Sequence, residues 1–324
     1  MVQDSTFWVE PPPQPTHIKK IMIASPVKIT VNNALQRIIL WSSVVLYTAC
    51  LPYVILAYRS IVKHFSTQIA GRIPLFIIIA LAAIYATICI KKKRAASCLI
   101  VLAVSALIVI FVMYFEANAN KYIHIPEYVL MSWILYHALA LDYKGSGILL
   151  LVFICAAMLG VLDEIMQGMH PQRTYGSTDM IIDAASSFIG CLSLMGLKQP
   201  LKGNWTWCRD FRQFRGPLAV IFIGAVTAVP MCSFLFEVRD QGGFINGYPR
   251  WLLAGNSLLV AACFAVIVFH WRRRQHYGMP GPEIKPTAVA VHTTAILWLI
   301  CPLAILMSMH ALVLWVAVAG INFR

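Results

Sequence analysis

The chain reads as all-α and polytopic, a transmembrane helical bundle of about nine spans. Of its 324 residues, 60% are hydrophobic and 12% are charged, with a mean hydropathy of +0.74. That is more apolar surface than one soluble core can hide. The apolar residues are also gathered into runs close to the roughly 20 residues a helix needs to cross a bilayer.

Residues 1–33 read as a basic, proline-rich cytoplasmic tail. Pro11, Pro12, Pro13 and Pro15 stand beside Lys19, Lys20 and Lys28, without the early apolar core of a signal peptide. Spans are expected near 36–58, 73–90, 95–115, 126–141, 146–165, 179–197, 217–236, 251–271 and 288–310. The last apolar run continues to Asn322 with Pro302 inside it, so it reads either as one kinked helix or as a span plus a re-entrant piece. Eight to ten spans bracket the count. Trp251 and Trp271 flank one span at the depth where indoles favour the interface. The chain divides into the tail 1–33, a first span and outer loop over 34–72, a five-span block over 73–200, and a further transmembrane region over 201–324 whose role the residues do not assign. Cys50, Cys89, Cys98, Cys155, Cys191, Cys232, Cys263 and Cys301 fall in apolar runs, where a thiol packs as a small hydrophobe, and their spacing indicates neither a disulfide framework nor a zinc site.

The formal charge of +13 is mostly a topology signal. With the N-terminus in the cytoplasm, eighteen of the 26 Lys and Arg residues fall on the cytoplasmic side, including Lys91, Lys92, Lys93 and Arg94, and Arg272, Arg273 and Arg274. No nucleic-acid partner is expected. The chain is read as integral to the cytoplasmic (inner) membrane.

Against this background, residues 160–190 stand out, because they hold Asp163, Glu164, Asp179 and Asp183, four of only thirteen acidic residues. Each ionisable group at membrane depth costs roughly 2.5 to 3.5 kcal/mol. On the expected topology, the span ending at Asp163 and Glu164, the span starting at Asp179 and the span starting near His124 and Glu127 all meet the outer face. Asp163 and Gln167 are four residues apart, as are His124 and Tyr128, and Asp179, Asp183 and Ser187 follow the same interval, so each set shares a helix face. An outer mouth is expected with Glu127, Asp163, Glu164, Asp179 and Asp183, joined by His124, Tyr128, Gln167, His170, Arg173 and Lys121. So many carboxylates near one arginine repel one another unless some are protonated, paired with histidine or balanced by a bound cation. The oxygens of Asp163, Glu164, Asp179 and Asp183 are the candidate ligands of a divalent cation. The bland readings are that Asp179 is a first-turn acid suited to the helix dipole, that Asp163 and Glu164 mark a helix leaving the membrane, and that Arg173 is a solvated loop charge. Asp183, a full turn inside its span, resists them best.

The order Asp163, Glu164, Gln167, Pro171, Arg173, Asp179, Asp183 and Gly190, preceded by His124, Ile125, Pro126, Glu127 and Tyr128, resembles the signature of the VanZ-like family of integral membrane proteins, over about residues 73–200. The chain departs from it at Gln172 and Ser186, where the family often has glycine, and at Met166, where it often has histidine. The resemblance implies a role at the cell envelope, and the family is named for a determinant of low-level teicoplanin resistance.

The expected function is therefore binding of a lipid-linked cell-envelope precursor, a membrane lipid or a glycopeptide-like ligand at the outward-facing site, with Arg173 on an anionic group. The alternatives are a Mg²⁺-dependent enzyme on a lipid-linked phosphate, with His124 or Glu127 as acid or base, and an ion- or proton-coupled transporter. Enzyme chemistry ranks below binding. Gly176, Asp179 and Asp183 match part of the aspartate motif of CDP-alcohol phosphotransferases, but Gln167 stands where that motif needs an aspartate. No clear internal repeat supports a transporter.

Overall fold

A computed structural model describes residues 27–143, 146–169, 176–197, 215–240, 249–277 and 286–319. The tail as far as residue 26, Lys144, the loop carrying His170 and Arg173, the basic stretch 198–214 and the side chain of Trp271 lie outside the described residues. The described residues form ten α-helices and no strand. In chain order these are α1 (Val27–Cys50), α2 (Val54–His64), α3 (Thr67–Lys91), α4 (Ala95–Phe115), α5 (His124–Ala140), α6 (Ile148–Met169), α7 (Ser177–Leu197), α8 (Arg215–Asp240), α9 (Arg250–Tyr277) and α10 (Pro286–Ala319).

Among the described residues, eight helical stretches are long and apolar enough to cross a membrane, with α1 and α2 together making the first. Helix α5 has 17 residues, at the lower limit for a span, and it lies among α1, α6 and α7. The chain is thus an all-α polytopic bundle, as its composition predicts. The faces of α3 and α4 away from the core carry exposed Ile79, Ile84, Leu107 and Phe111, a surface suited to hydrocarbon rather than water.

Helix limits depart from the expected spans where proline or a cap intervenes. The first span is broken at a 3-10 turn, Leu51–Tyr53, because Pro52 has no N–H for the helical ladder and its ring crowds the preceding turn. The second span begins at Thr67 rather than 73, since the Ser66 hydroxyl accepts from the Ile69 amide at 3.2 Å and caps the helix. Helix α10 runs unbroken through Pro302, so the last run is one long helix.

The centre of the bundle is the trio α5, α6 and α7, whose most extensive mutual packing is between α5 and α7. Helices α1, α3 and α4 pack against this trio, and α10 joins α6 to α8 and α9. Tyr128, Met131, Leu135, Leu151 and Val152 are fully or almost fully buried at this centre. A second core of Leu235, Leu252, Cys263, Leu299 and Leu306 unites α8, α9 and α10. Within it the buried His310 Nδ1 meets Asn256 Oδ1 at 2.7 Å. Helix α2 differs from the rest: it buries no side chain completely and touches chiefly α3 and the turn before it.

Small residues let the central helices approach closely, which is how helices associate where lipid competes equally for apolar contact. A Cβ on Gly190 of α7 would stand 2.6 Å from Ser132 Cβ of α5. The Ser132 hydroxyl lies within reach of the carbonyls of Tyr128 and Ser187, at 2.9 and 3.2 Å. A Cβ on Gly160 of α6 would stand 2.8 Å from Asp183 Cβ of α7.

Polar ties fix the end of the bundle away from the acids. Arg37 pairs in bidentate fashion with Asp142, at 2.6 and 3.0 Å, tying the middle of α1 to the turn after α5. Arg94 donates to the Gly196 carbonyl at 3.3 Å, tying the α3–α4 turn to the end of α7. That turn is tight, with Lys93 at φ 56° and the Arg94 amide closing on the Cys89 carbonyl. The basic run Lys91–Arg94 therefore lies at the end of the bundle opposite the end of α6 and the start of α7, where the acids are.

Gly190→Ala should destabilise the bundle by about 1–3 kcal/mol, because Ser132 is backed by its own helix and cannot yield. Gly71→Ala should be neutral or slightly stabilising, since the new Cβ would meet Ala119 Cβ at an ordinary 3.6 Å and alanine favours the helix. Thermal midpoints of the two variants in detergent, compared with the parent, check both outcomes.

Candidate functional site

Three helix ends build the site. The first turn of α5 supplies His124, Glu127 and Tyr128; the last two turns of α6 supply Asp163, Glu164 and Gln167; and the first two turns of α7 supply Asp179 and Asp183. The four-residue spacings work as the sequence predicts and point each stripe into the bundle. Asp163, Glu164 and Asp183 have no exposed surface, Gln167 is 1% exposed and His124 3%. Of the predicted residues, Arg173 and His170 lie outside the described residues, and the others come together.

The contacts form a graded set, from dry centre to wet rim. At the centre, His124 Nδ1 lies 2.9 Å from Asp183 Oδ1 and 3.7 Å from Glu127 Oε2. The His124 and Tyr128 rings stack with centroids 6.4 Å apart. The Tyr128 hydroxyl donates to Asp163 Oδ2 at 3.2 Å, and Gln167 Nε2 donates to the same oxygen at 2.7 Å. Glu164 Oε2 accepts from the Gly176 amide at 3.1 Å, which ties the end of α6 to the approach to α7. A Cβ on Gly176 would stand 3.1 Å from Asp179 Oδ2, so that carboxylate would have to give by a few tenths of an ångström.

At the rim, Lys121 Nζ bridges Asp179 Oδ1 at 2.8 Å and Glu116 Oε2 at 3.0 Å. Glu116 also accepts from the Asn118 amide at 3.0 Å through its other oxygen. These bonds act on the charges of the α4–α5 turn. The Asn118 amide and the Lys121 ammonium hold the Glu116 carboxyl below its ordinary value, against a smaller opposing push from burial. Burial pulls the Lys121 ammonium down, but its bonds to Asp179 and Glu116 raise it overall.

The chemistry of the centre is lopsided. Asp163 Oδ1, Glu164 Oε1, Gln167 Oε1 and both oxygens of Asp183 are buried without a hydrogen-bond donor among the described residues. The 2.9 Å approach of His124 to Asp183 lacks the angles of a hydrogen bond. Two groups of three potential metal ligands share the histidine: His124 with Asp163 and Asp183, and His124 with Glu164 and Asp179. In each group the ligand atoms lie within 4.8 Å of one another. A collection of acceptors with one imidazole can hold a cation, or pass and store a proton.

Beside this cluster lies a cavity of about 420 Å³. One wall is apolar, with Val54, Ile55 and Ile61 of α2 and Ile73, Pro74 and Ile77 of α3. The other wall is the site itself, through Lys121, His124, Glu127, Gln167 and Asp179. Sequence reading missed this wall, together with Glu116 and with Tyr47, whose hydroxyl donates to the Glu127 carbonyl at 3.0 Å. Glu116 and Lys121 face each other across a turn and not a helix, so no periodicity links them. Tyr47 comes from a span 80 residues away in sequence.

The rim charges give the site a defined pH response. The contribution of Glu116 to stability is present above its ordinary value of 4.5 and is lost as pH falls through its lowered value. That of Lys121 is present below 10.5 and is lost as pH rises through its raised value. Glu116→Gln should therefore lower the thermal midpoint at neutral pH and remove part of the acid limb of the stability profile. Midpoints measured between pH 3 and pH 7 in detergent compare the two limbs, and parallel profiles would contradict the assignment.

No protein-family model, no curated protein and no solved structure matches the chain.

Proposed function

We propose that the protein is a VanZ-like component of the cell envelope that holds a lipid-linked ligand, its apolar part against α2 and α3 and its headgroup at the His–carboxylate cluster. The observation that carries this reading is the two-sided cavity. A soluble substrate has no use for the apolar wall, and an ion in transit has no use for it either. A lipid-linked precursor needs both walls at one depth.

The acids suit a basic or cation-bridged headgroup, and Lys121 with Arg173 suits its phosphate or carboxylate. The basic turns at the far end of the bundle, including Lys91–Arg94, support an arrangement with those turns in the cytoplasm and the site outward, in the cytoplasmic membrane. Cell-wall precursors and glycopeptides are both met at that leaflet, which connects the reading to the teicoplanin resistance the VanZ-like resemblance implies.

Two experiments test the proposal. Native mass spectrometry of gently extracted protein should find a polyprenyl or phospholipid species retained by the wild type. Arg173→Ala should reduce it about tenfold or more, the loss of one charge-assisted contact, while the variant still inserts. Equal retention by the variant, or no retained lipid in the wild type, would sink the reading. For orientation, Ala117→Cys, exposed beside the site, should react with a membrane-impermeant maleimide in intact cells, and Lys92→Cys only after permeabilisation. The reverse pattern would invert the topology.

A further inference from the structure

We propose that the dry centre of the site binds one divalent cation, of the Mn²⁺ and Mg²⁺ class, between His124, Asp163 and Asp183. The proposal is independent of what occupies the neighbouring cavity.

Acidity alone does not carry it. The decisive observation is which buried atoms have no partner. Asp183 is wholly enclosed, and among the described residues neither of its carboxylate oxygens accepts a hydrogen bond, although His124 Nδ1 stands 2.9 Å from Oδ1. Asp163 Oδ1 is in the same position, while its other oxygen is held by Tyr128 and Gln167. An unpaired buried acceptor forgoes at least about 1–3 kcal/mol, more if charged, and these acceptors converge. The ligand atoms of Asp163, Asp183 and His124 lie within 4.8 Å of one another. One cation at that point would satisfy these acceptors together.

The geometry at the histidine agrees. His124 Nδ1 and Asp183 Oδ1 are 2.9 Å apart without hydrogen-bond angles. Adjacent ligands of an octahedral ion at 2.0–2.1 Å stand roughly 3 Å apart and aim at the metal instead of each other. The bonds from Tyr128 and Gln167 to Asp163 are of the outer kind that fixes a ligating carboxylate and leaves its second oxygen free for metal. Gly160 keeps α6 close enough to α7 for Asp163 and Asp183 to share the ion, since any side chain there would collide with Asp183.

The alternative triad of His124, Glu164 and Asp179 is less suited, because the ammonium of Lys121 already stands 2.8 Å from Asp179 Oδ1 and opposes a second cation there. The two triads thus divide into a metal-ready centre and a lysine-balanced rim. Oxygen donors with a single imidazole favour Mn²⁺ or Mg²⁺ over the sulfur- and nitrogen-rich preferences of zinc and copper.

The test uses the full-length chain in detergent, stripped with chelator and titrated with Mn²⁺ while free ion is read by electron paramagnetic resonance. One Mn²⁺ per chain is expected. Asp163→Asn and Asp183→Asn should each weaken binding at least about tenfold, as loss of even an outer-shell partner does, and Asp179→Asn should stay within about threefold of wild type. Equal loss in all three variants, or wild-type binding retained in Asp183→Asn, would overturn the assignment. A readout that depends on no variant is the spin-echo modulation of the Mn²⁺-loaded wild type, which should carry the ¹⁴N signature of the His124 imidazole. A wild type that binds no stoichiometric Mn²⁺, or binds it without that signature, would also overturn it.

Discussion

Everything in the centre of this protein follows from burying Asp163, Glu164 and Asp183 where water does not reach. A carboxylate in that position is tolerated only if something close by answers its charge. The fold answers with three helix ends brought together, so that His124, Tyr128, Gln167 and the Gly176 amide all face the acids. Bringing three ends together requires helices closer than lipid-facing side chains allow. Gly160 and Gly190 supply that approach, and they stand on the faces that meet Asp183 and Ser132. The small residues and the acids are therefore one design: without the first, the second would be split among separate helices.

The sequence made much of this legible, and the reason differs from one feature to the next. Fold class was readable because hydropathy is a sum over long runs and tolerates local error. The partners of the site were readable from the four-residue spacing of Asp163 with Gln167 and of Asp179 with Asp183, because a helix fixes which side chains share a face. The break at Pro52 and the early start at Thr67 were not, since each depends on a backbone hydrogen bond and not on apolarity. The cavity wall was least legible of all. Ile55 and Ile73 look like any lipid-facing isoleucines in one dimension, and only the fold of α2 back along α3 sets them opposite His124.

The two halves of the bundle divide the labour of stability and chemistry. Helices α8, α9 and α10 enclose a core of Leu235, Leu252, Leu299 and Leu306 in which the buried His310 and Asn256 meet at 2.7 Å. That unit packs on α6 through α10, so it supports the helix carrying Asp163 and Glu164. A site whose acids repel one another is held together by packing.

Helix α2 has a different standing, and it matters for access. Helices α3, α5, α6 and α7, which line the rest of the cavity with the turn before α5, also contribute to a core, whereas α2 has no fully buried side chain and follows a proline turn. Lipid tails are as apolar as the isoleucines that α2 presents to the cavity, and Pro52 has already removed part of the helical ladder before it. The α2 side of the cavity is thus the side least anchored by buried packing.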